Sequence, residues 1–165
     1  MPQIGVLNIL VLCTGNSARS ILAEGLFNAL GAGRIAAYSA GSRPQGEPHP
    51  EALNVLHEMG HDIAFARSKS WDEFAGPGSP EMDLIFTVCD NAAAETCPVW
   101  PGHPATVHWG LPDPAAVQGD QNLVRSAFES TYQELKRRIA LFLKLPLEQM
   151  APRDIAEKAR TISAH

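Results

Sequence analysis

The chain has 165 residues, of which 45% are hydrophobic and 19% charged, and a net charge of −5 at pH 7; this is the make-up of one globular domain, residues 1–165, with a full core and no linker. That balance excludes nucleic acid or an anionic membrane as a partner held on a basic face, because phosphate surfaces are bound by clustered Lys and Arg, and no apolar stretch is long enough to span a bilayer. There is no basic region ahead of the first apolar run and no cleavage site after it, so the expected location is the cytoplasm; three cysteines, an odd number, fit catalytic or redox use there better than a static disulfide framework.

In chain order, Asn8 to Leu12 is a continuous apolar run and predicts a strand covered on both faces. Ile21, Leu22, Gly25, Leu26, Ala29 and Leu30 recur at helical spacing, and Gly31 to Gly33 ends that helix. Ile35 to Ser39 reads as a second strand, followed by a Pro- and Gly-rich loop through Pro48. Glu51 to Met59 forms a helix stopped by Gly60, and Ser70 caps a short turn through Trp71 and Phe74. Leu84 to Cys89 is the third strand, Asn91 to Gly102 a loop expected to be mobile, and Thr106 to Trp109 the fourth strand. Leu123 to Leu145 is a long periodic helix ended by Pro146. The last stretch, Ala151 to His165, is polar and weakly periodic, so residues 146–165 read as a frayed helix or flexible tail. Strands alternating with helices give an α/β three-layer sandwich around a four-stranded parallel sheet.

The chemistry is expected in Cys13-Thr14-Gly15-Asn16-Ser17-Ala18-Arg19-Ser20, between the first strand and the first helix. Backbone N–H groups of such a loop form a nest for a tetrahedral oxyanion at a helix N-terminus, and Arg19 adds a two-pronged donor. The same positive surroundings are expected to lower the Cys13 pKa from about 8.5 into the reactive range, with the Ser20 hydroxyl bonded to the sulfur; the alternative is a buried Cys followed by an ordinary turn. Cys89 ends the third strand, and ligands gather beyond the carboxyl ends of parallel strands, so it falls on the same side as Cys13. Asp113, between Pro112 and Pro114 after the fourth strand, reaches that side too, as a general acid or as a simple turn residue. Cys89 and Cys97, with seven residues between them, are a metal pair, a redox pair or two unrelated thiols; no second Cys/His pair has zinc spacing, and the six histidines show no such grouping.

Cys13 to Ser20 after a strand, with Asp113-Pro114 late in the chain, resembles the low-molecular-weight protein tyrosine phosphatase fold. Within it the chain looks most like arsenate reductases, on Ala40-Gly41-Ser42-Arg43-Pro44, His49-Pro50-Glu51-Ala52, Arg67-Ser68-Lys69-Ser70-Trp71, and Phe86-Thr87-Val88-Cys89-Asp90 with Cys97-Pro98. The resemblance runs from about Asn8 to Leu145. It implies that Cys13 attacks arsenic in an arsenate held by residues 14–20, with Asp113 assisting loss of water. Cys89 then attacks Cys13, and Cys97 takes over the disulfide, although some relatives have one residue fewer between those two cysteines. It further implies no tightly bound cofactor or metal, and an external thiol reductant, thioredoxin or glutathione with glutaredoxin. Some relatives hold a monovalent cation near Asn16, Glu24 and Ser39, where Lys69 is the alternative positive charge. The competing enzyme reading is a tyrosine phosphatase. Against it, Ala115 and Ala116 stand where such enzymes commonly carry aromatics, and the cysteine pair would go unused. A non-enzymatic oxyanion-binding or thiol-sensing module is the third reading.

Overall fold

In a computed structural model, residues 6–76, 78–89 and 104–163 are described. Four strands, β1 (Leu7–Leu12), β2 (Ile35–Ala40), β3 (Leu84–Thr87) and β4 (Ala105–His108), form one sheet in the order β2-β1-β3-β4, and every neighbouring pair is parallel. The architecture is α/β, as the alternation of apolar runs and helical periods requires. Strand β1 shows why its sequence carries no alternation: Ile9 and Val11 enter one buried cluster while Leu10 and Leu12 enter the other.

The larger cluster lies under α1 (Arg19–Leu30), α2 (Pro50–Glu58), α3 (Gln121–Leu143) and α4 (Pro152–Ser163). Its centre is an aromatic stack in which the rings of Phe27 and Phe86 lie 5.3 Å apart and those of Phe86 and Trp109 4.6 Å apart; such pairs add to the stabilisation from area burial alone. Among the described residues, the opposite face is covered by the turn Trp71–Phe74, with Phe74 and Met82 over Leu10, Leu12 and Ile85. The loop 91–102 and Cys97 lie outside the described residues.

The C-terminal stretch departs from the expected frayed or flexible tail. It is the helix α4, with Ile155, Ala156, Ala159 and Ile162 buried at positions that recur along one helical face. The helix is polar on average, but its apolar residues all fall on that one face, so it is strongly amphipathic. Polar anchors complete it. Trp109 Nε1 donates to Ala159 O at 2.9 Å, and Arg160 Nη2 donates to Thr106 O at 2.6 Å. Upstream, Arg34 Nη1 and Nη2 donate to the carbonyls of Leu143 and Leu145 at the end of α3, at 2.8 and 2.9 Å.

The strand order reverses between β1 and β3, the switch point at which open parallel sheets place their sites. Leu12 pairs with Thr87, so the chain leaves β1 into Cys13 and β3 into Cys89 side by side.

Candidate active site

The loop after β1 is held from outside. Thr14 O accepts from Arg43 N at 2.9 Å, Gly15 O from Gln45 N at 3.0 Å and Ser17 O from His49 N at 2.9 Å, while Ser68 Oγ also donates to Gly15 O at 3.1 Å. A trans peptide carries its C=O and N–H on opposite sides, so binding these carbonyls outward turns the N–H groups of Gly15, Asn16 and Ala18 toward the inside of the loop. The segment 41–49 is thus a strap that shapes the nest. Helix α1 starts at Arg19 with no side-chain cap and no acidic residue in its first turn, which leaves its positive end directed at the same point.

Asn16 is the hinge of the loop. It takes a left-handed backbone conformation, φ 46°, which asparagine tolerates better than most residues. Its buried side chain fixes that conformation: Nδ2 donates to Ser20 Oγ and Ser39 Oγ, both at 2.9 Å, and Oδ1 accepts from Lys69 N at 2.8 Å. Ser20, expected to bond the Cys13 sulfur, accepts from Asn16 Nδ2 through its hydroxyl oxygen, which leaves its O–H hydrogen as a donor. Behind it, Ser39 Oγ donates to Glu24 Oε1 at 2.5 Å, and Lys69 Nζ lies 3.6 Å from the same oxygen and 3.4 Å from Ser39 Oγ. Burial pushes the Glu24 carboxyl up and the Lys69 ammonium down, and their mutual attraction opposes both shifts. A tethered ammonium thus stands at the group where Lys69 and a bound ion are the alternatives.

Cys13 and Cys89 are free thiols, 5% and 4% exposed. Cys89 Sγ accepts from Thr14 N at 3.3 Å and lies 3.6 Å from Thr14 Oγ1. The two sulfurs are in contact through a thiol hydrogen bond. That contact first, and burial second, raise the Cys13 pKa well above the ordinary thiol value, against the lowering pull of Arg19 and the Gly15 N–H. The expected lowering by the loop is reversed because the Cys89 thiol and burial, which both favour the neutral form, outweigh the positive surroundings of Arg19 and the loop amide.

Arg19 reaches over the loop from α1: Nη1 donates to Leu111 O at 2.8 Å, Nη2 lies 3.7 Å from Asp113 Oδ2, and Nε is buried without a partner. A buried guanidinium N–H with no acceptor is costly, and an oxyanion in the nest would satisfy it. Asp113 Oδ1 accepts from Ala115 N at 3.0 Å as the cap of a short turn, Pro114–Ala116, with its side chain 42% exposed. The turn and the acid readings of Asp113 therefore describe one geometry. These groups line a cavity of about 360 Å³ bounded by Cys13, Arg19, Cys89 and Asp113, with Arg43 and His49 at its side.

The strap residues stood in the sequence reading only as stretches of resemblance, Ala40 to Pro44 and His49 to Ala52, with no part in the site assigned to them. His49 caps α2 by accepting from Glu51 N through Nδ1 at 3.1 Å. The His-Pro pair at a helix start was the available signal. Cys97 lies outside the described residues, and among those described no group of His, Cys, Asp and Glu is arranged to hold a metal. No described helix is long and apolar enough to cross a membrane.

A cysteine and an arginine framing a loop of inward amides, at the switch point of an open parallel sheet, define a thiol-based oxyanion site. The chain belongs to the low molecular weight phosphotyrosine protein phosphatase family, whose model matches residues 8–153. It is 35% identical over 134 residues to the arsenate reductase of Halalkalibacterium halodurans, covering 81% of this chain and 93% of that protein. Among solved structures it is similar to an arsenate reductase in the oxidized state, with TM-score 0.65 and 28% identity over 81% of this chain and 94% of the other. It is also similar to a thioredoxin-dependent arsenate reductase of Corynebacterium glutamicum, with TM-score 0.55 and 25% identity over 85% of this chain and 65% of that one.

Proposed function

We propose that this protein reduces arsenate to arsenite by a cysteine relay, serving to detoxify arsenic. The observation that carries the reading is the buried contact between Cys13 and Cys89 at the floor of an oxyanion loop, because hydrolysis of a phosphate ester needs one thiol and arsenate reduction needs two electrons from a pair. Thr14, Gly15, Asn16, Ser17, Ala18, Ser20 and Arg19 hold arsenate, and Cys13 attacks arsenic as water leaves with a proton from Asp113. Cys89 attacks the Cys13 sulfur; the S–As bond breaks, its electron pair passes to arsenic, arsenite leaves, and a Cys13–Cys89 disulfide remains. Cys97 then attacks Cys89 and frees Cys13. A dithiol donor, thioredoxin or the glutathione and glutaredoxin pair, reduces the final disulfide. Thioredoxin is favoured by the likeness to a thioredoxin-dependent enzyme. Such a cycle belongs in a reducing compartment, the cytoplasm.

The test is arsenite production with each donor system. Cys13→Ser and Cys89→Ser are expected to make none, whereas Cys97→Ser completes about one reduction per molecule and stops. Wild-type output from Cys89→Ser would overturn the relay; hydrolysis of a phosphate ester without arsenite formation would leave a phosphatase.

A further inference from the structure

Gly41 is the first residue after β2. It is gripped on one side by the segment before the Trp71–Phe74 turn: its N–H donates to Lys69 O and its carbonyl accepts from Trp71 N, both at 2.9 Å, in an isolated parallel bridge with Ser70. On the other side it abuts the active-site loop. A Cβ at this position would lie 2.4 Å from Thr14 O, 2.6 Å from Cys13 O and 3.0 Å from Asn16 N. All three atoms are backbone, so no side-chain tip can swing aside. The backbone at Gly41 is not left-handed; space alone demands glycine here.

The two carbonyls that Gly41 touches belong to the peptide groups that carry the N–H of Thr14 and the N–H of Gly15, and a planar peptide turns as a unit. Thr14 N–H donates to Cys89 Sγ at 3.3 Å, and the Gly15 N–H, whose peptide carbonyl is bound outward by Arg43 N, acts on Cys13 by drawing its pKa down. We propose that Gly41 is a positioning residue for both thiols: its bare Cα wedges against the Cys13 and Thr14 carbonyls and sets the direction in which the Thr14 and Gly15 N–H groups meet Cys89 and Cys13. Residue 41 cannot retreat from a clash without giving up its bonds to Lys69 and Trp71, so a methyl group there displaces the loop instead. An N–H bonded to sulfur favours the thiolate; a turned peptide withdraws that support from both cysteines at once.

The role in turnover rests on the two-thiol reading above, while the effect on the sulfurs does not. The test is Gly41→Ala, with the pH dependence of iodoacetamide alkylation followed separately at Cys13 and Cys89 by peptide mass spectrometry in reduced protein, and thermal unfolding in parallel. The expected result is an upward move of both midpoints by about one pH unit, a tenfold loss of thiolate at a given pH, together with a fall in kcat/KM for arsenate of about 10²-fold from misplaced groups. A folded variant that keeps both wild-type midpoints would overturn the proposal. If the variant does not fold, the backbone amide resonances of Thr14 and Gly15 in wild type decide: they are expected to titrate with Cys89 and Cys13, and amides that stay flat through both ionisations would refute it. Shifted midpoints in a protein that makes no arsenite would retain the role of Gly41 and discard the reductase, and arsenite turnover with unshifted midpoints would do the reverse.

Discussion

Cys13 shares its thiol hydrogen with Cys89 in a buried contact, and the charge of Arg19 does not offset the resulting rise in pKa. Removing the partner removes the largest cause. Cys89→Ala is therefore expected to bring the alkylation midpoint of Cys13 down relative to wild type, so that the variant reacts faster with iodoacetamide at a given pH between neutrality and that midpoint; an equal or higher midpoint would assign the shift to burial. At Lys69 the question is the source of positive charge beside Glu24, 3.6 Å away. With an ammonium already there, turnover is expected to be equal in potassium and sodium salts at one ionic strength. Lys69→Met strands a buried carboxylate, a loss of about 3–5 kcal/mol, to be read by urea unfolding. Strict potassium dependence of wild type would contradict this arrangement. The members of these groups were legible beforehand, Asn16, Glu24, Ser39 and Lys69 through the family resemblance, but their bonding was not. The spacing from Cys13 to Arg19 placed those two together, but the bonds of Asn16 to Ser39 and Lys69 and the closeness of Gly41 to Thr14 O exist only once distant segments meet.

Helix α3 carries a charge cluster that steadies the exit of β4. Glu134 accepts from Arg137 Nη2 and Arg138 Nε, both at 2.7 Å, and Arg138 Nη1 reaches Gly110 O at 3.4 Å, just ahead of Asp113. The Arg137 and Arg138 guanidinium groups pull the Glu134 carboxyl down to about 2, below its unfolded value of about 4.3. A depressed folded pKa gives stability that is present above the unfolded value and lost as pH falls through the folded one. The wild-type urea midpoint is expected to fall between about pH 4.5 and 2, with Glu134→Gln showing a shallower decline over that window; parallel curves would remove Glu134 as the titrating group. At this scale the sequence was informative wherever a stripe was wide. The period from Leu123 onward announced α3 within two residues at each end, and the unbroken run of β1 announced a strand buried on both faces. The Ile and Ala stripe of α4 was overlooked although Ile155, Ala156, Ala159 and Ile162 keep helical spacing on one face, because the polar composition of the segment hides its periodicity; the Trp109 and Arg160 anchors add to it without any local signal.

Across the molecule, a net charge of −5 coexists with a cavity flanked by Arg19 and Arg43. An anionic substrate is drawn to that local cation pair against the overall field, so kcat/KM for arsenate is expected to fall with added salt, and Arg43→Gln to lower it at low salt and flatten the dependence. An unchanged salt profile in that variant would place the steering charge elsewhere. The meeting of Cys13 and Cys89 was legible from topology alone, since adjacent parallel strands deliver their carboxyl ends to one side. The covering of the sheet's border was not. Among the described residues, strand β4 is the outermost strand on its side, and its Thr106 carbonyl is taken by both Nε and Nη2 of Arg160, beneath a helix packed along it. An uncovered strand border is a template for a second chain. Without residues 152–163 the protein is expected to self-associate through β4, visible as concentration-dependent light scattering during expression and refolding. The last helix is thus a guard against aggregation, and its burden falls on the molecule's solubility rather than on its catalysis.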